Sequence, residues 1–150
     1  MPARFDAVIE VVPRVRARVV RNVPQTLAVF ETHFPRLRVL PGVLLLDDVA
    51  AAAALALTGP LPAGRHPGWV LGSVSRVRYR HFVRPGDQVE IDVQVVSAGG
   101  SSATGRAQVR VAGWAVATVK SVELTRLVET VFEEPAFVGA CGAVAIWGDN

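Results

Sequence analysis

Between Pro41 and Gly59 the chain carries a run with almost no polar face: Gly42-Val43-Leu44-Leu45-Leu46-Asp47-Asp48-Val49, then Ala50 to Ala54, Leu55, Ala56 and Leu57. Leucine and alanine are among the best helix formers. Pro41 suits the first turn, where its missing N–H is not needed, and Gly59-Pro60 ends the pattern. The run therefore predicts one helix over residues 42–57. A surface helix keeps a polar side; one that is apolar nearly all round must be enclosed by other structure. It is also too short and too acidic to read as a membrane span, which needs about 18 uninterrupted apolar residues. The rest of the chain must supply a wrap for this helix.

The flanking sequence has the period of strands. Residues 5–12, Phe5-Asp6-Ala7-Val8-Ile9-Glu10-Val11-Val12, are β-branched and partly alternating. After Pro13, Val15, Ala17 and Val19 alternate with Arg14, Arg16 and Arg18, a half-exposed strand. Gln25 to Phe34 reads as a loop or a single helical turn. Beyond the helix, Trp69 to Phe82 is a long strand and Pro85-Gly86-Asp87 a turn. Val89 to Val96 alternates strongly, and Thr104–Val111 and Trp114–Leu124 form two more strands. Two strands, one enclosed helix and about four antiparallel strands make an α+β chain whose curved sheet wraps the helix, the hotdog fold. Such a sheet has an open edge, and hotdog domains pair edge to edge, so a double-hotdog dimer is expected. The domain is placed at residues 1–126, with 127–150 as a C-terminal extension.

At 150 residues the chain has room for one well-packed core. Its composition, 51% hydrophobic and 19% charged, is that of a globular protein. The N-terminal stretch scatters Asp6, Glu10 and several arginines among valines, without the apolar centre of a signal peptide, and there is a single cysteine, Cys141. Both features point to a cytoplasmic protein. The net charge of +3 suits an acidic partner. No zinc-ligand spacing, phosphate-binding glycine loop or aromatic-basic motif is present, so neither a metal nor nucleic acid is expected.

Chemistry concentrates in His33-Phe34-Pro35, Pro41-Gly42-Val43-Leu44 and Asp47. An imidazole and a carboxyl in apolar surroundings fit proton transfer on an apolar substrate. These residues resemble the 3-hydroxyacyl-acyl-carrier-protein dehydratases of fatty acid synthesis. The likeness continues through Val70-Leu71-Gly72, Arg80-His81-Phe82-Val83-Arg84-Pro85-Gly86-Asp87-Gln88-Val89 and Gly105 to Val122, and so covers roughly residues 5–125. An aspartate at the acid position fits the dehydratase/isomerase branch and polyketide dehydratase domains, where the general dehydratases carry glutamate. Two positions depart from the family. Arg36 stands where glycine often follows His-Phe-Pro. Ala51 stands one helical turn after the acid, where the family usually places a glutamine able to orient it.

The resemblance implies syn elimination of water from a 3-hydroxyacyl thioester, in fatty acid or reducing polyketide synthesis. His33 takes the C2 proton, the Gly42 N–H at the helix start stabilises the thioester oxygen, and Asp47 protonates the leaving hydroxyl. The apolar helix is expected to desolvate Asp47, with Asp48 facing outward. Phe34, Pro41, Val43, Leu44 and Gly72 are expected against the substrate, with the alanine-rich helix face lining an acyl tunnel. Arg78, Arg80 and Arg84 are candidates for the phosphate of a phosphopantetheine arm or for an acidic acyl carrier protein. No other cofactor is expected. The histidine of one subunit would face the acid of its partner, in a homodimer or with a different hotdog chain. Two readings compete: a half-catalytic or non-catalytic subunit of a heterodimeric dehydratase, and an acyl thioesterase, which the His33 motif argues against. Ala28 stands where related enoyl hydratases carry aspartate, against that class as well. His66 reads as solvated, His81 as structural, and Trp69 and Trp114 as core or interface aromatics. Arg76, Arg78 and Arg80 alternate and so share one strand face.

Overall fold

The computed structural model describes residues 4–27, 29–32, 36, 38–62 and 65–127. His33, Phe34 and the C-terminal extension from residue 128 lie outside the described residues. In chain order the elements are β1 (Ala7–Val12), β2 (Arg16–Asn22), α1 (Val29–Thr32), α2 (Gly42–Thr58), β3 (Trp69–Tyr79), β4 (Gln88–Ala98), β5 (Ser102–Val111) and β6 (Trp114–Arg126). The six strands form one sheet in the order β1-β2-β4-β5-β6-β3. Every neighbouring pair is antiparallel. This is the hotdog architecture expected from the sequence, with one turn of helix in the loop before α2.

The wrap follows from alternation. Val19 on β2, Ile91 and Val93 on β4, Val109 on β5, and Val119 and Val122 on β6 point inward and are fully buried. Against them α2 buries Leu45, Val49, Ala52, Ala53, Ala54 and Leu57, packing mainly on β4 and β2. Small alanine side chains let the helix axis approach the sheet closely. The buried alanines of α2 thus face the chain's own sheet, while Ala51 stays half-buried. Register shifts at Val8/Glu10, Leu71/Ser73, Val95/Ser97 and Gly105/Ala107 bend the strands around the helix.

Two local features position the site. β3 stops at Tyr79, short of the expected Phe82: the Arg80 and His81 N–H groups both converge on the Val116 carbonyl, at 2.8 and 3.4 Å, and the Leu40 N–H donates to the Val83 carbonyl at 2.7 Å. The segment before α2 is thereby tied to the segment after β3. At the Pro85-Gly86-Asp87 turn, Gly86 adopts a φ of 87°, open to glycine at little cost. The Asp87 carboxylate accepts from the Arg84 N–H at 2.8 Å, and the Gly86 N–H donates to the Val23 carbonyl at 2.9 Å. Arg84 thus leaves a fixed backbone.

Candidate active site

The start of α2 is open. Pro41 occupies the cap position and no side chain caps the first turn. A helix start of this kind offers N–H groups and the positive end of the dipole to an incoming oxygen. Tyr79, half-exposed at the end of β3, lays its ring against it. A Cβ placed on Gly42 would fall 2.6 Å from Tyr79 Cζ and 2.7 Å from its hydroxyl oxygen. Any larger residue here would have to displace the Tyr79 ring. Partial burial raises the Tyr79 phenol above its ordinary pKa. Tyr79 was not among the sequence candidates; the available signal was its parity, opposite to Arg78 and Arg80 on the same strand. Gly42→Ala is expected to push the tyrosine ring outward and lower kcat about tenfold or more. Alanine is a better helix former than glycine by about 1 kcal/mol, so thermal melting should be unchanged or slightly raised. A melting curve beside the rate separates the two effects.

The neighbouring acids exchange the roles expected of them. Asp47, expected to be desolvated, has a side chain 66% exposed in the single chain, whereas Asp48, expected to face outward, is 1% exposed. Both corrections have one cause. The helix is enclosed on most sides, and its open stripe runs Val43, Asp47, Ala51, Leu55, four residues apart; the first two are exposed and the others half-buried. Asp48 lies about 100° around the helix and points at β2. There it meets two guanidinium groups: Arg21 Nη1 donates to Oδ2, while Arg4 Nε and Nη2 donate to Oδ1 at 3.2 and 2.9 Å. A buried carboxylate needs such partners. The same Arg4 Nη2 donates to Asp47 Oδ2 at 2.6 Å. Burial lowers the pKa of Arg4, but the hydrogen bonds and charges of Asp47 and Asp48 raise it further, and the net shift is upward. The missing glutamine at Ala51 therefore does not leave Asp47 without a partner.

The other candidates spread over three places. Pro41 and Leu44 are half-buried beside the helix start, and Val43 is exposed on the open stripe next to Asp47. Gly72 sits in the β3 bulge, where a Cβ would meet Thr125 Oγ1 at 3.0 Å. It lies seven residues before Tyr79, roughly 23 Å along an extended strand, so one chain does not bring Gly72 and Gly42 together. Arg80 and Arg84 line a cavity of about 550 Å³ with Tyr79, His81 and Phe82, adjoining the helix start through Tyr79. His81, expected to be structural, is exposed there. Arg76, Arg78 and Arg80 line a second cavity with Lys120 on the outer sheet face, as their alternation predicts. His66 is exposed, and its Nδ1 accepts from the Gly68 N–H at 2.9 Å. Trp69 is buried, whereas Trp114, expected in a core or interface, is 73% exposed in the single chain. Cys141 lies outside the described residues. Among the described residues, no three or more His, Cys, Asp or Glu cluster as a metal site, and no helix is long and apolar enough to cross a membrane.

Residues 12–112 match the ApeI-like family, described as ApeI dehydratase. A 3-hydroxyacyl-acyl-carrier-protein dehydratase FabZ from Enterococcus faecalis is 33% identical over 124 residues, which are 83% of this chain and 85% of that one. The FabZ of Symbiobacterium thermophilum is 37% identical over 94 residues, 62% of this chain and 65% of its own length. Among solved structures, the dehydratase heterocomplex ApeI:P from Xenorhabdus doucetiae superposes with a TM-score of 0.61 at 22% identity, covering 84% of this chain and all of that one, a likeness that carries the fold. On the family match and the Enterococcus relative, the chain belongs to the ApeI-like dehydratases, of hotdog fold and close to the FabZ enzymes.

Proposed function

We propose that the protein is a hydro-lyase that dehydrates a carrier-bound 3-hydroxyacyl thioester to the trans-2-enoyl thioester. The observation that carries this reading is the uncapped α2 start at Gly42 with Asp47 on the helix's open stripe, in a chain whose relatives are dehydratases. The thioester oxygen is taken by the Gly42 N–H, where the helix dipole favours developing negative charge. His33 removes the C2 proton as that C–H bond breaks. The electron pair forms the C2=C3 double bond, and the C3–O bond breaks. The hydroxyl leaves as water with a proton from the Asp47 carboxyl, and the imidazolium returns its proton to Asp47 through solvent. The elimination of water involves no net oxidation or reduction, so the step calls on no redox cofactor.

The acyl chain follows Pro41, Val43 and Leu44 away from the helix start. The phosphopantetheine arm follows the cavity under Arg80 and Arg84, whose guanidinium groups suit its phosphate. The acidic carrier meets the basic outer face around Arg78 and Lys120. The free edge of β3 favours pairing with a second hotdog chain, since among the described residues β3 pairs only with β6. If two β3 strands pair antiparallel near Ser75 and Arg76, Gly72 of the partner comes beside Tyr79, which reconciles its distance within one chain. Incubation with a 3-hydroxyacyl carrier should give a product lighter by one water, read by intact mass. Release of free acid instead would support a thioesterase and overturn the reading. A different hotdog chain as partner is the second reading, in keeping with the heterocomplex neighbour; it predicts turnover only when that chain is added.

A further inference from the structure

The Arg4 guanidinium makes three donations with one rigid fork. Two go to Asp48, a carboxylate buried by α2 and held from its other oxygen by Arg21. The third goes to Oδ2 of exposed Asp47. The first two contacts fix where the guanidinium sits; the third transfers that fixed position to a side chain that nothing else along its own helix stripe can orient, since its neighbours there are Val43, Ala51 and Leu55.

We infer that Arg4 is a positioning residue for Asp47: anchored by Asp48 and Arg21, it occupies Oδ2 and leaves Oδ1 turned to the leaving hydroxyl of the substrate. This rests on the reading of Asp47 as the acid. Arg4 does the work that a polar side chain at position 51 would do, from 43 residues away in sequence. It touches no reacting atom; it selects the oxygen and the rotamer that do. An exposed ion pair contributes little to stability, about 0–1 kcal/mol, so the cluster's value at Asp47 lies in geometry.

The test is a double-mutant cycle on steady-state rates with a 3-hydroxyacyl carrier substrate, comparing parent, R4Q, D47N and the double variant. Misplacing a reacting group by about 1 Å costs up to about a hundredfold. R4Q is therefore expected to lower kcat about 10- to 100-fold, with KM within about twofold, and to have no further effect in the D47N background. A kcat within about twofold of the parent, or the same fractional loss with and without the Asp47 carboxylate, overturns the inference. The same cycle run with R4K covers the case in which R4Q melts early, because lysine keeps a charge beside Asp48 and loses the fork. D47N retaining the parent kcat would refute the acid assignment itself, whatever R4Q does.

Discussion

Replacing His33 with alanine is expected to lower kcat about a thousandfold, the middle of the range for a positioned general acid–base group. The C2 proton of a thioester is weakly acidic, so the elimination stalls without a base that is neutral near pH 7. Imidazole is the side chain whose ordinary pKa provides one. The described histidines do not replace it. His66 accepts a backbone hydrogen bond in a loop, and His81 lines the basic cavity beside Arg80 and Arg84. The contrast with Gly42→Ala is informative. That variant weakens the stabilisation of the oxygen and keeps the base, so its loss should be smaller by an order of magnitude or more. Circular dichroism should match the parent in both cases, and neither variant should melt earlier. A His33→Ala loss below about tenfold would mean that another group takes the proton, and the proposed mechanism would fall.

Much of the fold was legible because each element has one dominant signal. The α2 run is apolar and bounded by Pro41 and Gly59-Pro60; Val89, Ile91, Val93 and Val95 alternate without interruption. What the sequence hid follows from the same facts. A helix without a polar stripe carries no phase marker, so adjacent acids give no sign of which one faces the sheet. The choice depends on Arg21 and Arg4, which reach Asp48 from β2 and from the segment before β1. Long-range ion partners leave no periodic trace. Tyr79 was hidden because strand parity tells the side of the sheet and not the distance along it. Only the fold puts the end of β3 over the start of α2, through contacts such as Leu40 with Val83.

Subunit complementation should turn two inactive variants into a working protein. The open stripe of α2 presents Asp47 outward beside Val43, which is 70% exposed in the single chain. An apolar surface next to an ion-paired acid is what a partner subunit would cover. If the His33 of one subunit works with the Asp47 of the other, a symmetric dimer holds two composite sites. Pairing a His33→Ala chain with an Asp47→Asn chain leaves one site with both side chains and one with neither. Random association of equal amounts makes about half of the dimers mixed, each with one of two sites intact, so activity should return to about a quarter of the parent value. Co-expression with two different affinity tags, followed by sequential purification, isolates the mixed dimer, which should carry about half of the parent activity. A mixed dimer no more active than either variant dimer would place both side chains of a site on one chain, or assign the second half of the site to a different protein. The two outcomes separate when a second hotdog chain is added: recovery then identifies the heterodimer, and no recovery leaves the site within one chain.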